Sequence, residues 1–224
     1  MKNFRNALII SILAFSFLAM TEDKPMKIIF FGDSITQAGV SPNGYITKMN
    51  QAIEKQGLKD KYELIGAGIG GNKVYDLFFR LEDDVLLKKP DLVFIFVGVN
   101  DVWHKASFGT GSDPDKFEKF YVGIIKKIQA NGAKVICCTP ACIGEKTDFS
   151  NQQDGDLNQY SQIIRNIAAK TNCQVCDLRK EFLAYNLKNN PENKEKGILT
   201  TDRVHLNELG NQTVADLMLK MILK

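Results

Sequence analysis

From Pro25 onward the chain alternates short β-branched and aromatic runs with longer amphipathic stretches. The short runs predict strands at Lys27–Phe31, Tyr62–Ile65, Leu92–Val97, Lys134–Cys138 and Gln174–Asp177. The longer stretches predict helices at about Gly44–Gln56, Lys73–Lys88, Pro114–Asn131, Leu157–Thr171 and Arg179–Asn189, and a last one from Asn207 to Leu223. Local chemistry marks several boundaries. Pro90 precedes a strand, where a missing N–H is tolerable. Asp113-Pro114 reads as an N-cap followed by an N1 proline, and Asn131-Gly132 closes the helix that follows. Leu92–Val97 is apolar throughout rather than alternating, as expected of a strand covered on both faces. Strict β-α alternation predicts a three-layer α/β/α sandwich around a five-stranded parallel sheet. No linker, repeat or low-complexity tract divides residues 26–224, which read as one domain.

The first twenty residues follow a different pattern. Lys2 and Arg5 are their only charges, and an apolar run from Ala7 to Met20 is broken only by Ser11 and Ser16. Fourteen residues are short for a bilayer-spanning helix, which needs about 20, and suit a signal-peptide core. Residues 1–20 are therefore expected to direct export, with an uncleaved N-terminal anchor as the alternative. No cysteine lies nearby to carry a lipid.

Composition narrows the classes. With 44% hydrophobic and 25% charged residues in 224, the chain has the balance of a globular protein with a sizeable core. The net charge of +3 falls to +1 once Lys2 and Arg5 are set aside, and no basic run is interleaved with aromatics. A nucleic-acid partner is not expected. The five cysteines, Cys137, Cys138, Cys142, Cys173 and Cys176, cannot all pair within one chain. Cys173 and Cys176 sit three apart in a strand-like segment, which points them to opposite faces and disfavours both a disulfide and a chelate. Buried free thiols are expected, with one disulfide between segments as the alternative. No ligand set argues for a metal.

In parallel sheets ligands gather outside the carboxyl ends of the strands, and four unusual segments fall there or in a late loop. The first strand runs into Gly32-Asp33-Ser34-Ile35, where a serine on a tight turn could present its hydroxyl to a base. The same residue types also make ordinary caps and turns. The second strand runs into Gly66-Ala67-Gly68-Ile69-Gly70-Gly71-Asn72. Taken literally this contains G-x-G-x-x-G, a dinucleotide cradle. It follows the second strand rather than the first, however, and Asp91, about twenty residues on, precedes its strand instead of ending it. Exposed backbone amides there serve an oxyanion equally well. The third strand leads to Gly98-Val99-Asn100-Asp101, a loop in which the Asn100 amide could donate into the same space. Finally, Asp202-Arg203-Val204-His205 sets one of only two histidines three residues after an acid that could hold its tautomer.

These four blocks, in this order, resemble the GDSL, or SGNH, hydrolase family from about Met26 to Leu223. The first reads Gly-Asp-Ser-Ile where the family's nominal block has leucine. The resemblance implies a flavodoxin-like α/β fold and a serine esterase working through an acyl-enzyme. In it Ser34 is the nucleophile, His205 the general base and Asp202 its orienting acid. The oxyanion hole comprises the Ser34 and Gly71 N–H groups, with Gly70 as the alternative register, and the Asn100 amide. Asp33, Trp103 and His104 are candidates for the substrate pocket. His104 lacks an acid in the Asp-x-x-His relation and is a weaker candidate for the base.

No cofactor or metal is implied. The expected partner is a small-molecule or carbohydrate ester, with no stable membrane insertion once a signal is removed. Such families include carbohydrate acetylesterases, lysophospholipases, thioesterases and arylesterases. Expected export, near-neutral charge and the lack of an apolar lid segment favour a carbohydrate O-acetyl ester. The rival classes are a lipid or simple-ester hydrolase, a non-catalytic carbohydrate-binding member of the fold, and a nicotinamide enzyme. The loops at about Thr139–Asp156 and Asn189–Thr200 are expected to shape the pocket.

Overall fold

The computed structural model describes residues 24–223, so the export segment expected at 1–20 lies outside the described residues. Five parallel strands, β1 (Met26–Gly32), β2 (Tyr62–Gly68), β3 (Leu92–Phe96), β4 (Lys134–Cys138) and β5 (Gln174–Cys176), form one sheet in the order β2-β1-β3-β4-β5. The helices are α1 (Ser34–Ala38), α2 (Tyr45–Lys55), α3 (Val74–Asp84), α4 (Val99–Phe108), α5 (Pro114–Ala130), α6 (Asp154–Lys170), α7 (Leu178–Asn189) and α8 (Glu208–Ile222).

This strand order explains the layers. The chain steps from β1 to β2 in one direction, then crosses back over β1 to β3 and continues outward to β5. Right-handed crossovers therefore put α2 on one face and α3, α5 and α6 on the other. The contacts agree, with α2 packed on α8, and α3 on α5 on α6. Direction reverses between β1 and β3, whose carboxyl ends open the crevice where such sheets bind ligands.

β3 is buried along its whole length, and Ile28–Gly32 of β1 are buried with it. Phe30 and Phe94 stack at 5.1 Å across the β1–β3 pair, and Tyr45 of α2 meets Phe30 edge-on at 5.8 Å. Cys137, Cys138, Cys142 and Cys176 are buried and Cys173 is half-buried, all as free thiols.

Several expected boundaries move. Asp177, expected to end the fifth strand, instead caps α7 by accepting the Lys180 N–H. The expected Lys73–Lys88 helix is split into α3 and a 3-10 turn at Leu86–Lys88. α6 starts three residues early, at Asp154. Two helices were not anticipated. The turn after β1 is α1, with Ser34 as its first residue, and the supposed loop after β3 is α4. Gly98 caps α4 with a φ of +129°, open to glycine, and a Cβ there would meet the Phe117 ring at 3.4 Å.

Among the described residues no helix is long and apolar enough to cross a membrane.

Candidate active site

The carboxyl end of β1 passes through Asp33 into α1, which fixes where Ser34 stands. Asp33 is 1% exposed, and its carboxylate accepts the Ile35 N–H at 3.0 Å as the α1 N-cap. It therefore supports the turn from below rather than lining a substrate pocket. Burial raises its pKa to about 7, the Ile35 N–H partly opposing the shift.

Ser34 Oγ lies 3.0 Å from His205 Nε2, and His205 Nδ1 lies 2.6 Å from Asp202 Oδ2. The other Asp202 oxygen accepts the backbone N–H of His205 at 2.8 Å and of Val204 at 3.1 Å. Burial pushes the Asp202 pKa up, but the His205 ring and these amides outweigh it and hold the carboxyl below its usual range. An ionised Asp202 fixes a proton on Nδ1 and leaves the Nε2 lone pair facing the serine hydroxyl. The arrangement can deprotonate Ser34 and carry the resulting positive charge. The His205 and Asp202 side chains are 36% and 47% exposed, so the base and its acid are open to solvent.

The turn after β2 shows where an oxyanion could rest. The Ile69 N–H donates to Gly32 O at 3.3 Å, and the Asn72 N–H to Ile69 O at 3.3 Å. The Asn72 carbonyl accepts from Asn100 Nδ2 at 3.1 Å, and the Val74 N–H from α3 is held by Asp101 of α4. Among the described residues no acceptor is recorded for the Gly70 and Gly71 N–H groups. An alanine Cβ at Gly70 would come within 4.0 Å of Ser34 Cβ, and Gly71 has a φ of +74°. Asn100 is 2% exposed; one amide hydrogen is spent on Asn72, and the second is free to donate.

The other glycines of the block serve packing. An added Cβ at Gly68 would sit 2.1 Å from the Gln37 N, and one at Gly66 2.4 Å from Val40. These positions keep β2 close to α1 and the turn beyond it. That accounts for the G-x-G-x-x-G spacing without a nucleotide.

Trp103 and His104 lie on α4 beside the site. The Trp103 ring is 6.4 Å from the His205 ring, and His104 packs against Trp103, Phe108 and the Gly71 side of the turn. Burial, aided by the Lys73 charge, lowers the His104 pKa. Among the described residues no carboxylate pairs with its ring.

Two supporting residues escaped the sequence reading. Arg80 donates to Gly32 O at 2.6 Å, Ala67 O at 3.1 Å and Asn72 Oδ1 at 2.7 Å, tying together the ends of β1 and β2. Glu145 is buried, and its carboxylate gathers the Ile198, Leu199 and Thr200 N–H groups at 2.6–2.9 Å just ahead of Asp202. Most of their partners are main-chain atoms, so no motif announces them.

Among the described residues no group of three or more His, Cys, Asp or Glu could hold a metal ion. A cavity of about 470 Å³ is lined by Met26, Leu92, Lys134, Gln174, Met221 and Ile222 among others, at the opposite end of the sheet from Ser34.

The fold and the comparison with known proteins together define an α/β ester hydrolase. Residues 30–213 match the model of the GDSL-like lipase/acylhydrolase family, and the chain belongs to that family as an ester hydrolase. The crystal structure of the acetyl xylan esterase AlAXEase superposes with a TM-score of 0.87 at 66% identity, covering 88% of this chain and all of that one. An acetylxylan esterase of Geobacillus stearothermophilus is 28% identical over 218 residues, 88% of this chain and 93% of the relative. Platelet-activating factor acetylhydrolase IB subunit alpha1 of Rattus norvegicus is 28% identical over 121 residues, 54% of this chain and 46% of that protein.

Proposed function

We propose that this chain is a serine esterase that removes O-acetyl groups from a carbohydrate, with acetylated xylan as the favoured substrate. The observation that carries the reading is the Ser34–His205–Asp202 chain of contacts at 3.0 and 2.6 Å, with the base and acid open to solvent. A solvent-open base gives a bulky polar alcohol room to approach, and the resemblance to acetylxylan esterases supports the same choice. Export through the N-terminal apolar run fits a polymeric substrate.

In the reaction His205 Nε2 takes the Ser34 proton as Oγ bonds to the acetyl carbon. The carbonyl oxygen becomes an oxyanion, received by Asn100 Nδ2 and the free amides of the Gly70–Gly71 turn. The ester C–O bond then breaks, and His205 returns the proton to the departing sugar hydroxyl. A water repeats the sequence on the acetyl-enzyme: its proton goes to His205, acetate leaves and Ser34 is restored.

Chromogenic esters of increasing acyl length, followed by acetylated xylan, test this reading. Acetyl esters should turn over fastest, acetylated xylan should release acetate, and Ser34→Ala should abolish both. Preference for long acyl chains would refute the acetylesterase assignment. Full activity in Ser34→Ala would refute the serine mechanism.

A further inference from the structure

Lys73 is only 9% exposed, deeper than a lysine ordinarily sits, and it stands between the Gly70–Gly71 turn and the first turn of α3. Its Nζ donates to the Gly71 carbonyl at 3.0 Å, the one hydrogen-bond acceptor recorded for this ammonium among the described residues. The ring of Tyr75 lies 5.7 Å below it. The charged and titratable groups facing it are Asp101 and His104 from α4 and Asp76 from α3, and Asp76 also accepts the Lys73 backbone N–H at 2.9 Å. Desolvating an ammonium with a single neutral acceptor is unfavourable, and a surface lysine would cap α3 as well.

We propose that Lys73 is a positioning residue for the oxyanion hole: its ammonium, seated on the Gly71 carbonyl, locks the turn that presents the Gly70 and Gly71 amides to the ester. Asn100 grips the next carbonyl, Asn72 O, from the opposite element, so two consecutive peptide oxygens are pinned while the preceding N–H groups stay free. The left-handed Gly71 would otherwise be the natural pivot of this turn. The buried charge also adds positive potential behind the position where the oxyanion forms.

The inference rests on the serine-esterase reading. It is tested with Lys73→Met, Lys73→Gln and Lys73→Arg on p-nitrophenyl acetate, with the active fraction counted by fluorophosphonate labelling. Phenylboronic acid, which forms a tetrahedral adduct on an active serine, reports the oxyanion geometry separately. Lys73→Met should lower kcat about 10- to 100-fold, leave KM within about twofold, and weaken phenylboronic acid binding by a factor similar to the kcat loss. Lys73→Arg should recover most of the loss, and Lys73→Gln, which keeps a donor without the charge, should fall between. If the Met variant does not fold, the Gln and Arg variants carry the same comparison. Unchanged kcat and boronate affinity would overturn the proposal. So would a loss that appears only in KM or only as a smaller labelled fraction. Ester hydrolysis surviving in Ser34→Ala would instead overturn the serine-nucleophile reading on which the proposal rests.

Discussion

Ser34 and His205 stand 171 positions apart in the chain, yet their Oγ and Nε2 atoms meet at 3.0 Å. One sits on the first residue of α1 and the other in the loop ahead of α8, so their distance depends on how that late loop is held. Asp202 fixes the ring through Nδ1, and Asp202→Asn removes the charge that selects its tautomer. The expected result is a kcat loss of about 10³- to 10⁴-fold with the fold retained and the unfolding temperature only slightly lowered. Turnover within tenfold of wild type would mean that the ring is oriented by something else.

Asn100→Ala should reduce kcat/KM about 10²- to 10³-fold, with most of the loss in kcat. The side chain also holds Asn72 O, so Asn100→Asp is the sharper test: it keeps the shape but replaces the donor with an acceptor. The Asp variant should be at least as impaired as the Ala variant. Recovery in Asn100→Asp would exclude an oxyanion donor at this position.

Glu145 organises the loop before Asp202 through three backbone amides. Glu145→Ala leaves these donors without their acceptor, a cost of about 3 kcal/mol or more. In a chain of this size that corresponds to a fall of roughly 6–12 °C in Tm. Activity should fall with it, because the same loop carries His205. Thermal unfolding followed by circular dichroism, beside kcat at a permissive temperature, checks both effects.

Stability should fall as pH rises toward and past neutrality. Burial raises the carboxyls of Asp33 and Asp101 to about 7 from an ordinary value of 3.8. Between those values the folded state holds protons that the unfolded chain has released. The stability they contribute is therefore complete below about pH 4 and is lost as pH climbs through 7. Tm measured from pH 5 to 8 should decline, and Asp101→Asn should flatten the slope while keeping an acceptor for the Val74 N–H. A wild-type Tm that rises across this interval would contradict the assignment.

Cys173 is the one half-buried thiol among five. A thiol-exchange reagent should titrate about one equivalent in the native protein and five in denaturant. Two or more fast-reacting thiols under native conditions would show that the β4–β5 region opens more readily than its packing implies.

The sheet was legible because fully buried parallel strands must be apolar from end to end, as Leu92–Phe96 is. The motif residues were legible because the four blocks keep their order along the chain. α4 was not legible, and its burial pattern gives the reason. Val99, Asn100, Asp101 and Val102 are buried in succession, so its first turn enters the core end-on and shows no amphipathic period. Two of those four are polar and are accommodated by hydrogen bonds to the α3 turn that sequence spacing cannot reveal. Lys73, Arg80 and Glu145 were missed for a related reason: each acts largely on main-chain atoms, which carry no residue identity.

The cavity at the far end of the sheet fixes where the folded chain can be attached. It is lined both by Met26, where β1 begins, and by Met221 and Ile222, where α8 ends. The Tyr62 hydroxyl, at the start of β2, lies on the Ile222 carbonyl at 3.4 Å. A linker fused ahead of Pro25 or behind Leu223 would therefore leave from the side opposite Ser34. Tethered to a bead or displayed on a cell through either end, the enzyme would keep Ser34 facing away from its support.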